Sequence, residues 1–380
     1  MEAIYVDHAA TSPMYPEVID TMLQVFQQNI GNPSSIHRFG REARRIIDEA
    51  RNEFAKSINA KENEIILTSG GTESDNLAIL GTALSEKGNG RHIITSAIEH
   101  HAVLHPCEYL GKQGFEVTYL PVDEHGKVRA EDVKSAVRDD TVLVTIMYGN
   151  NEVGTVQPIK EIGAFLKNTS AYFHTDAVQA YGLYDLDVQS LGVDLLSVSA
   201  HKMNGPKGAG FLYAREGVQL APLILGGEQE RKRRAGTENV AAIAGFHTAV
   251  QLMNETMEEK QHRYRSFQNR MLAIFEESGI EYVMNGSKDE RLPHILNVSF
   301  PGTTAEALLV NLDLSGVAAS SGSACTAGSL EPSHVLGAMF NDQERINSAI
   351  RFSFGLGNKM EHIEKAALET VRAVKQISGR

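Results

Sequence analysis

The residues best equipped for chemistry lie in a few short stretches. In "DLLSVSAHKMNGPKGAGFLY" an apolar run ends at Ser199, Ala200, His201 and Lys202, and Gly205, Pro206, Gly208 and Gly210 follow closely. A lysine at the end of a buried strand is costly unless its amine has a use. Such an amine forms a Schiff base with an aldehyde, most readily where its surroundings lower its pKa. The Ser199 hydroxyl and the His201 imidazole beside it suit a phosphate. The plainer alternative is a surface lysine after a strand. In "HTDAVQ" Asp176 ends a second apolar run, predicted to lie beside the lysine strand. A carboxylate there keeps a pyridine nitrogen protonated, or it caps a helix. Gln179, three residues on, is spaced to hydrogen-bond a ring oxygen. In "LTSGGTESDN" Gly70 and Gly71 turn a strand into a helix that opens near Thr72. Free N–H groups and the helix dipole make an anion cradle there. No G-K-[ST] follows, so it is not a nucleotide P-loop. A Schiff-base lysine, an acid for a ring nitrogen and a phosphate cradle together point to pyridoxal 5'-phosphate.

Other stretches add candidates. His100, in "SAIEHHAVLHPCEYL", follows a strand, where its ring can lie over a bound ring. His101 and His105 share one helix face, but neither a zincin glutamate nor a third ligand accompanies them, so no metal is expected. Cys107, in the same helical stretch, reads as packing. Asn150 and Asn151 follow a strand and suit a substrate or ring oxygen, or simply a turn. Arg351 lies within the apolar strand "AIRFSF", where an unpaired guanidinium is expensive. A substrate carboxylate fits its fork; a structural salt bridge is the alternative. The run Arg231, Lys232, Arg233 and Arg234 reads as a solvated charge cluster, with Thr237 after it able to donate to a phosphate. Cys325 stands in "ASSGSACTAGS", among residues that bury almost nothing and favour loops. Its thiol is either incidental to a turn or a reachable nucleophile.

Seven apolar runs must position these residues: 64–69, 91–97, 115–122, 141–149, 171–177, 194–200 and 209–214. Amphipathic stretches such as 72–84 and 159–169 alternate with them. The alternation predicts an α/β layer with a mainly parallel sheet. A long charged helical stretch over 245–278 leads into a tail of strand, helix, cysteine loop, short helix, strand and helix. The N-terminus is expected to fold back onto that tail.

Composition narrows the class. The 380 residues suggest two domains. A hydrophobic content of 42% fits a globular enzyme. The net charge of −12 disfavours direct nucleic-acid binding. No apolar run reaches the roughly 18 residues of a membrane span. Two cysteines make neither a disulfide framework nor a four-cysteine zinc site, which suits a reducing cytoplasm.

Taken together, the chain resembles a cysteine desulfurase of the aminotransferase class V group, the NifS/IscS-like enzymes. The likeness runs through "VDHAATSP", "GNPSSIHRFGREA", "TSGGTESDN", "EHHAVL", "NNEVGTVQPI", "HTDAVQ", "SVSAHKMNGPKGAGFL", "RAGTENV", "SSGSACTAGSLEPSHVL" and "SAIRFSFG". The cysteine segment is the most specific. The resemblance implies the fold type I transferase architecture of pyridoxal-phosphate enzymes. A large α/β domain over 13–255 would hold a seven-stranded sheet. Residues 1–12 and 256–380 would form a smaller α+β domain carrying the cysteine loop at about 318–332. It implies Lys202 as Schiff-base lysine, Asp176 at the ring nitrogen, Gln179 at the ring oxygen and His100 stacked on the ring. Gly71, Thr72, Ser199 and His201 would hold the phosphate, with Thr237 reaching in from the second subunit of a homodimer. Asn151 and Arg351 would bind the substrate carboxylate, and Cys325 would be the nucleophile that becomes a persulfide. L-cysteine would be the substrate and sulfur-acceptor proteins the partners, either an iron–sulfur scaffold or a tRNA-thiolating enzyme. A selenocysteine lyase, an aminotransferase or a catalytically degenerate scaffold are the rival readings.

Overall fold

The computed structural model describes residues 3–85, 90–322 and 332–379; Cys325 lies outside them. All seven expected runs form strands of one sheet: β2 (Ile65–Thr68), β3 (His92–Ser96), β4 (Glu116–Leu120), β5 (Thr141–Thr145), β6 (Tyr172–Asp176), β7 (Leu195–Ser199) and β8 (Gly210–Ala214). Their order is β2-β8-β7-β6-β5-β3-β4. Only β8 runs antiparallel to its neighbours, so the sheet is mainly parallel.

Both faces of the sheet are covered except at its edge strand β4, which is why the other strands read as continuous apolar runs. Alternate residues serve opposite faces. Ile65, Leu67, Val144, Leu196 and Phe211 pack in one core with Ile47 and Phe54 of helix α2 (Arg38–Lys56). Their neighbours Ile66, Leu143, Leu195 and Leu212 pack on the other side. There they meet Leu77 of α3 (Gly71–Ala83) and Val103, Cys107 and Leu110 of α4 (His101–Lys112). Cys107 is fully buried, and burial pushes its thiol up to about 12.

The 39-residue helix Val240–Ser278 joins two cores. Phe246, Val250 and Met253 pack against the seven-stranded sheet. Phe267, Met271 and Phe275 pack in a second core with the antiparallel strands β10 (Ile295–Ser299) and β12 (Ala349–Ser353). Strand β9 (Val283–Asn285) completes that sheet, and the sequence pattern had not singled it out. At the start of the chain, β1 (Ile4–Tyr5) pairs in parallel with β11 (Val317–Ala318). Ile4 and Val6 enter the second core with it. The N-terminal segment then continues past Asp7 to the carboxyl ends of the central strands β6 and β7.

Candidate active site

Parallel α/β sheets present ligands at the carboxyl ends of their strands. Here β6 ends at Asp176 and β7 ends at Ser199, with a 3₁₀ turn Ala200–Lys202 directly after it. The two strands are neighbours, with Asp176 paired to Ser197 in register. A cavity of about 330 Å³ opens there. Among its lining residues are Gly71, Thr72, His100, Asn151, Asp176, Gln179, Ser199, His201, Lys202 and Arg351. Thr237 is exposed and is not among them.

The lysine is held by backbone. Lys202 Nζ donates to the carbonyls of Ala9 at 2.5 Å and Ala10 at 2.8 Å. Gln179 Nε2 donates to the same Ala9 carbonyl at 3.0 Å, while its Oε1 lies 3.0 Å from His294 Nε2. The side chain of Gln179 is therefore already engaged at both ends. His201 pairs with Thr11 through Nδ1 at 3.1 Å. Burial, with Lys202 second, lowers His201 to about 4, so its ring is neutral near pH 7.

Asp176 is buried, and one of its oxygens accepts the Val178 amide at 2.9 Å. The helix cap that the sequence offered as an alternative is not formed: a turn, not a helix, follows Asp176. Burial raises its carboxyl to about 6; the amide and Lys202 oppose that rise. A second buried carboxyl, Asp75 of α3, shares the cavity wall. Burial first and the nearby Asp176 second push it well above the usual carboxylate range. A charge on Asp176 therefore makes Asp75 harder to ionise.

His100 caps α4, its Nδ1 accepting the Ala102 amide at 3.1 Å. Burial and the adjacent Lys202 lower it to about 4. An acceptor at Nδ1 in a neutral ring leaves the proton on Nε2, so His100 is a hydrogen-bond donor. His101 and His105 stack on each other at 5.0 Å, and His334 closes on His101 at 4.8 Å.

Arg351 is 3% exposed. Its Nη1 donates to the Asn151 carbonyl and its Nη2 to Asp7, each at 2.9 Å. Nε is buried and meets no acceptor among the described residues. The structural salt bridge is present: Asp7 balances the charge, and two of the five guanidinium N–H groups are used in these bonds, leaving donors for a further acceptor.

Glycine builds the cradle. Gly70 has φ 145°, which side-chain-bearing residues rarely adopt, and it sets the turn from β2 into α3. A Cβ on Gly71 would come within 2.7 Å of Val178. Sequence reasoning missed Ala9 and Ala10, whose contribution is carbonyl oxygen and carries no side-chain signal. It also gave no role to Asp7, although a carboxylate following "IYV" was a visible anomaly, and it overlooked Asp75 and His294.

The aminotransferase class-V family pattern matches residues 4–366. A Bacillus subtilis (strain 168) protein provisionally named cysteine desulfurase IscS 1 is 60% identical, over 100% of both chains. Cysteine desulfurase IscS of Methanosarcina thermophila is 48% identical over 99% of this chain and 92% of its own. A solved NifS-like protein superposes with a TM-score of 0.91 at 35% identity, covering 97% of this chain and 98% of its own. A cavity built on a strand-end lysine and an adjacent strand-end aspartate, in a chain this similar to these proteins, makes it a member of the aminotransferase class-V family, in its cysteine desulfurase branch.

Proposed function

We propose that this chain is a pyridoxal-phosphate-dependent enzyme that removes sulfur from L-cysteine, leaving L-alanine, and passes the sulfur through Cys325 to acceptor proteins. The observation that carries the reading is the convergence of Lys202, Asp176, His100 and Arg351 on one cavity. The residues fit the cofactor. A buried carboxylate at the carboxyl end of the central strand β6 suits a cationic ring nitrogen, and the turn at Gly70 opens α3 onto the same cavity as Ser199 and His201.

When bound, the cofactor supplies an aldehyde for the lysine amine and a ring that draws electrons from the substrate's α-carbon. The chain's own groups do the rest. Arg351 would offer its remaining N–H groups to the substrate carboxylate, with Asn151 beside it. Lys202 would hold the cofactor and move the proton at the substrate's α-carbon. His100 would donate a hydrogen bond through Nε2, and Asp176, as the anion, would pair with the cofactor's ring nitrogen. Cys325 would accept the sulfur: the Cβ–S bond of cysteine breaks, an S–S bond forms at Cys325 Sγ, and the proton given up by the Cys325 thiol is made up at the Cβ of alanine. A thiol of ordinary pKa near 8.5 is partly thiolate at neutral pH, which suits this attack.

Two copies are proposed to assemble. Helix α1 (Pro16–Gln28) and the segment after it leave Ile19, Leu23, Phe26 and Ile30 exposed, with Phe26 66% and Ile30 80% exposed. Such a stripe seeks a partner, and Thr237, exposed on its own subunit, would reach the other copy's phosphate. The division into 13–255 and 1–12 with 256–380 follows two main cores, with Ala9, Leu292 and Ile295 of the smaller part packing into the first. Among the described residues no helix is long and apolar enough to cross a membrane. We place the enzyme in the cytoplasm, supplying iron–sulfur assembly, tRNA thiolation or both.

Purified protein loaded with pyridoxal phosphate and given L-cysteine should yield alanine and a persulfide mass on Cys325 in equal amounts. Borohydride should fix the cofactor on Lys202. Transfer of the amino group to a keto acid without sulfur release, or cofactor fixed on another lysine, would refute the reading.

A further inference from the structure

The segment after β8 contains three consecutive residues in the left-handed region: Glu230 (φ 47°), Arg231 (φ 57°) and Lys232 (φ 66°). None is glycine, so each resists that conformation, and something must hold the turn. The holder is Glu230. Its buried carboxylate is gripped by the Arg51 fork at 2.6 and 2.8 Å and accepts the Leu67 amide at 3.0 Å. Arg51 also donates to the Ile65 carbonyl at 2.7 Å. The turn is thus bolted to β2, the strand that leads into the cradle.

The turn delivers Arg234 to Glu73. Arg234 Nε lies 2.8 Å from Glu73 Oε1, and its Nη2 lies 3.3 Å from Oε2. Glu73 in turn accepts from the Ser69 amide at 2.8 Å and the Ser69 hydroxyl at 2.5 Å. Ser69 immediately precedes Gly70 in the turn into α3. Glu73 therefore fixes the cradle, yet it is a carboxylate in the first turn of a helix whose N-terminus is to receive a phosphate. Unneutralised, it would repel that anion. The Arg234 fork holds Glu73 below the usual carboxylate range and offsets its charge.

We propose that Arg234, aimed by the Glu230 turn, is a positioning residue for the anion cradle: it orients and neutralises Glu73, so that Glu73 shapes the loop without opposing the phosphate. This rests on the reading of the cavity as a pyridoxal-phosphate site.

The test compares two aldehydes that differ only in the phosphate. Cofactor-free full-length protein is titrated with pyridoxal phosphate and with pyridoxal, followed by visible absorbance. Arg234→Ala should weaken pyridoxal phosphate about tenfold, the value of one charge-assisted contact, and leave pyridoxal unchanged. Glu230→Gln should give a smaller loss of the same selectivity. Adding Glu73→Gln to Arg234→Ala should restore part of the affinity by removing the exposed charge. Equal weakening of both aldehydes, or weakening of neither, overturns the inference while the cofactor reading stands. Wild-type protein that captures neither aldehyde overturns the cofactor reading, and this inference with it. If Arg234→Ala captures neither, Arg234→Lys decides by the same comparison.

Discussion

Replacing Asp176 with Asn should make the cofactor-free protein more stable, and more so at higher pH. In the fold the Asp176 carboxyl titrates near 6 instead of 3.8, mainly because it is buried. Between those two values the folded chain keeps a proton that the unfolded chain has lost. Stability therefore falls as pH rises through this window, and the penalty is complete above about pH 6. At about 1.4 kcal/mol per unit, the full cost is about 3 kcal/mol. Asn keeps an oxygen for the Val178 amide and carries no charge. Urea unfolding of both proteins at pH 5 and pH 8 isolates the effect, since part of the penalty is already present at pH 5. Wild type should lose roughly 1–2 kcal/mol more than Asp176→Asn across that interval. In the presence of pyridoxal phosphate the order should reverse, because only the carboxylate meets a cationic nitrogen. Parallel pH curves for the two cofactor-free proteins would refute the argument.

Arg351→Lys should raise KM for cysteine about 10–100-fold, the cost of losing charge-assisted contacts, with a smaller change in kcat; an unchanged KM would remove Arg351 from substrate binding. Arg51→Met leaves Glu230 buried without its partner and should cost about 3–5 kcal/mol in urea unfolding. Cys325→Ala should form no persulfide by intact-mass measurement after cysteine is added, while cysteine still alters the cofactor spectrum. Cys107→Ala should keep the persulfide signal at Cys325 and lose only about 1–3 kcal/mol of packing.

The large sheet was legible because six of its seven strands are buried on both faces and show as apolar runs with turn residues at their ends, while the edge strand β4, largely open to solvent, still keeps its β-branched and aromatic residues. Lys202, Asp176 and the Gly70–Gly71 turn were legible for a related reason: each interrupts such a run with a group that needs a purpose there. Strand β9 was not. It is three residues long, with Val283 and Met284 only partly buried, and so short a segment has no period to detect. Ala9 and Ala10 act through the main chain, whose geometry no residue letter encodes. Asp75 looked like one polar residue among several in the first turns of α3, and only the fold turns it toward Asp176. The arginine run read as a solvated cluster. In the fold Arg231 and Lys232 are exposed, whereas Arg233 and Arg234 are half-buried and bonded. Charge alone does not reveal which members of such a run face inward.

The N-terminal segment imposes an order on biosynthesis. Asp7, Ala9 and Ala10 leave the ribosome long before their partners, since Asp7 is balanced by Arg351, 344 residues later, and β1 has no strand to pair with until Val317 is made. At about 5–20 residues per second, those first residues wait roughly 20–70 s for their partners. The large sheet can assemble meanwhile, but the segment whose carbonyls hold the Lys202 amine is anchored only once Val317 and Arg351 have been made. A nascent polypeptide can thus carry the lysine, the aspartate and the cradle without yet having a working site.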